Sequence, residues 1–321
     1  MMNNIKTNTQ PEKVVAYIRD GLVEQEHYGF AVRGDRTREL EKIGDDRNYP
    51  FYLRSCAKPL QATLLIDYDM DEKYNMSEEE IAICCASHAG EKVHTDLVRE
   101  LLNKFGIPEN CLKCGIHSPL SLSARKELIR NNEDVTLIHN NCSGKHTMML
   151  GICKDKCWDL EDYNRIDHPL QVAIKQKVYE LCDVKAEYPV TKDGCGVPIF
   201  SMPLLNIVKG YLNVFCNPKY EKIKNAFLNH PYIIGGEDRT DTKIMTQGDG
   251  LVAKVGASGL CVVVNTKLEE GFVVKICDSN MEAREILTCD LINNIHWGEI
   301  ETCHDVKTLH DEKIGEIISL I

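Results

Sequence analysis

Long apolar runs are missing from this chain of 321 residues. The longest uncharged stretch, Gly194 to Val208, is broken by Pro198 and Pro203 and is too short to span a bilayer. Runs of basic residues are missing too. Lys plus Arg number 38 against 49 Asp plus Glu, a net charge of −11. An acidic chain repels phosphate backbones, so no nucleic-acid partner is expected. The opening residues, MMNNIKTNTQPEK, are polar and lack the apolar core of a signal peptide. No GxGxxG or GxxxxGK(S/T) stretch announces a dinucleotide or nucleoside triphosphate. Internal repeats and Pro- or Ser-rich linkers are also lacking. The expectation is a soluble cytoplasmic protein without membrane association.

What is present is ordinary globular composition, 43% apolar and 27% charged, which excludes disorder and low complexity. Cysteine is abundant at 15, but the number is odd and the chain long, which does not suit a disulfide scaffold. Most cysteines sit in apolar stretches such as EEIAICCAS and GLCVVVN, where a thiol behaves as a small buried hydrophobe. Cys142 and Cys195 lie instead in polar, Gly-containing surroundings.

Residues 1–13 read as a loose arm and 14–321 as one domain. Val14–Arg19 and Gly29–Arg33 read as strands. Helices are expected from Cys56, after the Ser77 capping box, over Thr95–Phe105, from Ser123 and after Ser143. More are expected over Pro169–Cys182, Pro203–Tyr211 and Tyr220–Leu228. Leu251–Val255, Gly259–Asn265 and Gly271–Cys277 read as an antiparallel meander, with closing helices at Met281–Ile295 and Lys313–Leu320. Strands at both ends and helices between them imply an α+β fold. One antiparallel sheet is built from both chain ends, flanked by helices, with a large helical region in the middle.

Five fragments could carry chemistry. Arg54-Ser55-Cys56-Ala57-Lys58-Pro59 is a Ser-x-x-Lys pair opening a helix, and a spacing of three puts both side chains on one face. Pro59 would clash with the Ser55 carbonyl in a regular α-helix, so this turn should be distorted or 3₁₀. A serine hydroxyl needs a base, and a neutral lysine can serve. At a free pKa of about 10.4 only about one lysine in 2,500 is neutral at pH 7, so the motif needs a dry pocket or a second cation. Ser87-His88-Ala89-Gly90-Glu91 puts a serine where a helix breaks. Asn140 to His146 is a polar entry into a helix, with Cys142 and Lys145 one turn apart. Lys192 to Pro198 sets Cys195 between two glycines. Cys142 and Cys195 could hold a thiophilic metal, with Lys145 or His146 as a third ligand. Lys254-Val255-Gly256, after the acidic stretch Gly235–Asp241, supplies a strand lysine.

In this order the motifs resemble the asparaginase II family, the rhizobial-type L-asparaginases. Arg19-x-Gly21, Glu24, His27 and Gly29 match its opening as well. The resemblance runs from about Val14 to near the C-terminus. It implies a fold similar to serine β-lactamases and glutaminases, a homodimer, and hydrolysis of L-asparagine to L-aspartate and ammonia. It makes Ser55 the nucleophile and Lys58 its base, with Ser87 and Lys254 as a second Ser–Lys pair. Cys142, Lys145 and Cys195 then correspond to a zinc site beside the serines. Arg54, His88, Asp193 and Gly256, which flank these groups in the motifs, are the substrate-binding candidates. Two departures, Ala89-Gly90 in the turn and Gly235-Gly-Glu-Asp-Arg239, bear on substrate preference.

The alternatives are a glutaminase or a β-lactamase-like hydrolase with the same nucleophile, a zinc deaminase, and a zinc-binding regulatory module without turnover. The deaminase reading rests on His88, Glu91, Cys111 and Cys114, which echo the H-x-E…P-C-x-x-C signature with the wrong His–Glu spacing.

Overall fold

Alternating apolar residues at both chain ends meet in one sheet. A computed structural model describes residues 7–321. The N-terminal strands are β1 (Glu12–Arg19), β2 (Leu22–Gly34) and β3 (Glu39–Ile43). A small second sheet is made by β4 (Phe51–Tyr52), β5 (Val190–Lys192) and β6 (Pro198–Met202), in the order β4-β6-β5. The C-terminal part adds β7 (Leu251–Gly256), β8 (Leu260–Asn265), β9 (Glu270–Ile276), β10 (Asp305–Lys307) and β11 (Lys313–Ser319). The main sheet runs β10-β11-β1-β2-β9-β8-β7, with β3 also paired to β2. All its pairings are antiparallel.

The sheet is covered on both faces. Gly271 of β9 faces Val208 of helix Leu204–Phe215, while its neighbour Phe272 faces Trp297, beyond helix Met281–Asn294. Successive strand residues point to opposite faces. Two-sided cover explains why every residue of β7 and β8 is buried and why both read as continuous apolar runs. The remaining helices lie between β4 and β7 in the chain, as the α+β reading expects. Among the described residues, no helix is long and apolar enough to cross a membrane.

The meander and most helices fall where the patterns place them. The expected helix at Lys313–Leu320 is instead strand β11. Ile314, Ile317 and Ile318 have helical spacing, but they belong to a strand that pairs with β1, register Ile18 to Glu316. Gly315 lies against the Ile18 carbonyl with no room for a side chain, and the free edge of β1 decides the outcome. Short strands β3, β4, β5, β6 and β10 carried too little periodicity to be expected. Of the expected arm, residues 1–6 lie outside the described residues. Gln10 pairs by backbone hydrogen bonds with Asp45, and β1 begins at Glu12.

Candidate active site

Ser55 sits on a 3₁₀ turn, Arg54–Ala57, that runs straight into helix Lys58–Asp67. Pro59 has no N–H to give the Ser55 carbonyl, so the Lys58 N–H closes the tighter i to i+3 ring instead. Arg54 takes up a left-handed conformation, φ 50°, which costs a non-glycine residue about 1–2 kcal/mol. The turn is pressed onto β7. A methyl group on Gly256 would stand 2.9 Å from Cys56 Sγ and 3.2 Å from the Leu53 carbonyl oxygen, so only glycine lets turn and strand meet. Gly256, expected to admit substrate, admits the chain's own Ser55 turn. The neighbouring Lys254 carbonyl accepts from Cys56 Sγ at 3.3 Å.

Lys58 is buried, 1% exposed. Its Nζ lies 2.6 Å from the Ala86 carbonyl oxygen, 3.2 Å from that of Asn141 and 3.0 Å from Ser87 Oγ. Ser87 follows helix Glu78–Cys85, which turns extended at Ala86, and its own N–H is tied to the Ile234 carbonyl. Burial pulls the Lys58 ammonium below the usual lysine range, and the charges of Lys145 and Lys254 pull the same way against the two nearby thiols. Lys58 touches Ser87 and Asn141, Lys145 touches Cys195, and Cys56 touches Lys254, so the fragments around residues 58, 87, 142, 195 and 254 share one neighbourhood.

The pairing within it differs from the expectation. Ser87 is hydrogen-bonded to Lys58. Lys254 Nζ, fully buried on β7, is bound by Asp241 Oδ2 at 3.0 Å and donates to the Val255 carbonyl at 3.3 Å. Burial alone would raise the Asp241 carboxyl. Lys254, Arg239 and the hydrogen bonds from Lys254 and the Val255 N–H outweigh it and hold that carboxyl below its ordinary value. Asp241 lay within the acidic stretch noted in the sequence, but nothing local marked it as the partner of a lysine 13 residues on.

Helix Ser143–Asp155 enters the site with its first turns fully buried. Gly144 makes this possible: its Cα lies against the Ile83 carbonyl of helix Glu78–Cys85. Asn140 braces the entry, giving two hydrogen bonds to the Cys114 and Gly115 carbonyls and accepting one from the Cys142 N–H. Asp193 and Cys195 stand on the connection between β5 and β6. Asp193 is ion-paired with Arg54, Oδ1 to Nη2 3.0 Å, which ties the hairpin to the Ser55 turn.

Cys142, Lys145 and Cys195 converge. Lys145 Nζ lies 3.0 Å from Cys195 Sγ. The influence of the Cys142 thiol first, then that of the Lys145 ammonium, favours the thiolate of Cys195 against the penalty of burial. Burial alone would lower Lys145, but the charges of Cys195 and Cys142 carry it above the free lysine value. Two soft sulfurs and one amine, all buried, fit a thiophilic cation such as zinc. Of His146, the other ligand considered, Nδ1 is bound to Tyr163 Oη at 2.6 Å, while Nε2 is buried with no hydrogen-bond partner among the described residues.

His88 is completely buried with both ring nitrogens engaged. Nδ1 accepts from the Gly90 N–H at 3.2 Å, so Nε2 carries the proton and gives it to Ser143 Oγ at 2.8 Å. Ser143 in turn donates to the Ile138 carbonyl. Burial, with His94 and Lys58 nearby, keeps the ring neutral. His88 therefore braces the helix that carries Cys142 and Lys145, and it has no free nitrogen for a metal, which counts against the deaminase alternative. Neither this chain of bonds nor the Tyr163 anchor of His146 was visible in the sequence.

A model of the L-asparaginase II family matches residues 15–317. None of the curated proteins matches the chain. Among solved structures, a β-lactamase from Mycobacterium bovis aligns over 84% of this chain and 95% of that chain, at 12% identity and a TM-score of 0.43.

Proposed function

The chain belongs to the L-asparaginase II family, whose members are amide hydrolases, and from that membership we propose that it hydrolyses L-asparagine to L-aspartate and ammonia through an ester on Ser55. One observation carries the reading: a buried amine, Lys58, held one turn after Ser55 against two carbonyls and the Ser87 hydroxyl. A neutral amine has two N–H groups for the carbonyls and one lone pair for a hydroxyl proton. Those three neighbours suit a base.

The chemistry follows from these parts. Lys58 takes the Ser55 proton as Ser55 Oγ bonds to the side-chain amide carbon. The tetrahedral intermediate collapses, the C–N bond breaks, and ammonia leaves with a proton returned from Lys58 through Ser87. Water then attacks the ester carbon with Lys58 again taking a proton, the bond from that carbon to Ser55 Oγ breaks, and Lys58 returns the proton to Ser55 as aspartate leaves. General-base assistance of this kind is worth about 10²–10⁴ in rate. Lys254 contributes a fixed positive charge at the edge of the site. Arg54 and Asp193, a facing cation and anion at its half-buried side, have the charges that meet an α-carboxylate and an α-ammonium.

Cys142, Cys195 and Lys145 would hold zinc, with Lys145 giving up its proton to do so. A bound ion supplies charge that orients a substrate amide or its carboxylate. The homodimer of the family belongs to the same reading.

The test is ammonia release from L-asparagine and L-glutamine by the purified protein and by Ser55→Ala. The reading expects turnover of asparagine and loss of about 10³-fold or more in the variant. Activity of Ser55→Ala within about tenfold of the parent would remove Ser55 as nucleophile.

A further inference from the structure

Two buried lysines share the neighbourhood of Ser55, and their surroundings differ in one respect: the hydrogen-bond partners of Lys58 include no carboxylate, whereas Lys254 has Asp241 at 3.0 Å. We propose that Asp241 is a positioning residue: it keeps Lys254 a fixed cation and holds it off Ser87, so that Lys58 is the amine that exchanges protons with the serines. This rests on the amide-hydrolase reading above.

Three observations carry it. First, both members of the pair are 0% exposed, and a buried ammonium without a carboxylate gives up its proton. Second, the carboxylate is itself fixed. Oδ2 also accepts from the Val255 N–H at 3.2 Å, so helix Thr240–Gln247 and strand β7 are joined through the atom that binds Lys254. Third, Oδ1 is buried with no hydrogen-bond partner among the described residues, so the lysine and the strand N–H are the contacts the carboxylate is placed to make. Two lysines competing for one hydroxyl would give an undecided base. The carboxylate removes one of them from the competition.

Other ionisable groups face this pair. Arg239 acts on Asp241, Arg284 reaches the Gly256 carbonyl from helix Met281–Asn294, and Cys56, Cys85 and Cys261 feel the Lys254 charge. The thiols of Cys56, Cys85 and Cys261 are pushed by burial up to about 12 and stay neutral. The arginines are permanently charged. Among the groups facing Lys254 that leaves the two lysines as the ones whose protonation the loss of Asp241 can change.

The experiment is the pH dependence of kcat and KM for Asp241→Asn, which keeps the shape and removes the charge. Lys254, stripped of its counter-ion in a dry site, should lose its proton at lower pH than in the parent. The ratio of variant to parent kcat should therefore fall about tenfold or more between pH 7 and 9, with KM within about threefold. Asp241→Glu, which restores the charge, should flatten that ratio even where its kcat is reduced. A constant ratio in folded Asp241→Asn overturns the inference. If the variant does not fold, ¹⁵N-lysine NMR of the parent decides instead. Lys254, identified from Lys254→Arg, should remain an ammonium from pH 6 to 9, and a neutral amine in that range overturns the inference. Ser55→Ala run alongside separates the levels. Parental activity there sinks the hydrolase reading with everything built on it, whereas a dead Ser55→Ala with a constant Asp241→Asn ratio sinks the assignment of Asp241 alone.

Discussion

Gly144→Ala should damage catalysis far more than stability. A methyl group at 144 would stand 2.8 Å from the Ile83 carbonyl carbon, and closer still to its oxygen. Carbon contacts relax at about 3.5–4.0 Å, so helices Glu78–Cys85 and Ser143–Asp155 must part by about 1 Å. Overpacking of that kind costs about 1–3 kcal/mol. Alanine returns up to about 1 kcal/mol of helix propensity over glycine. The net loss is about 2 kcal/mol or less, a drop of a few degrees in Tm for a chain of this size. The functional loss is larger, because Ala86 and Ser87 follow one helix while Asn141, Cys142 and Lys145 stand at the start of the other. Lys58 is held by groups from both. A misplacement of about 1 Å can cost about 10² in rate. The assay is ammonia release beside a thermal melt. Gly151→Ala is the control: it lies on the same helix as Gly144, nearly two turns from Lys145, and its methyl would meet the ring of Phe105, at the end of helix Lys92–Phe105, 2.5 Å away, so it should lower Tm while sparing kcat. Parental kcat in Gly144→Ala, or equal losses in both variants, would refute the argument that this contact sets the site.

Lys58→Met should lose about 10³-fold or more in kcat while still binding substrate, and equal activity of the two proteins would contradict the base assignment. The parent's activity should fall as pH drops through the lowered pKa of Lys58, since the base must be neutral; a flat acid limb argues against it. Stability carries the same sign. The unfolded lysine binds a proton at higher pH than the folded one, so the parent gains stability relative to Lys58→Met as pH rises from the folded value toward about 10.4. Chemical denaturation at several pH values reads this, and an opposite slope contradicts the burial argument. Asp193→Asn should raise KM with a smaller change in kcat, and an unchanged KM would separate Asp193 from substrate. Cys195→Ser should reduce zinc bound at equilibrium by about tenfold or more, measured by metal analysis after dialysis. Unchanged zinc content would exclude Cys195 as a ligand.

Legibility followed local chemistry. The 3₁₀ turn at Ser55 was readable because Pro59 forbids the regular alternative, and Gly106 closed its helix in the left-handed conformation where expected. Meander strands β7, β8 and β9 announced themselves by valine runs between turns. Pairings across the fold were not readable. Nothing local ties Asp241 to Lys254, His88 to Ser143, or Arg54 to Asp193, because each bond depends on which surfaces the helices bury. The C-terminal segment was misread for a related reason: isoleucines spaced for a helix face become a strand when a neighbouring edge offers backbone partners. Small residues told half their story, since Gly256 and Gly144 were conspicuous but what they approach was not.

The central claim is that Ser55 becomes acylated. Its most direct measurement is mass spectrometry of enzyme quenched in acid during turnover of L-asparagine, followed by proteolysis. The account predicts a β-aspartyl ester on the peptide that carries Ser55, absent in Ser55→Ala and more abundant when deacylation is slowed. Steady turnover with Ser55 unmodified at every quench time, and with asparagine still consumed by Ser55→Ala, would contradict it.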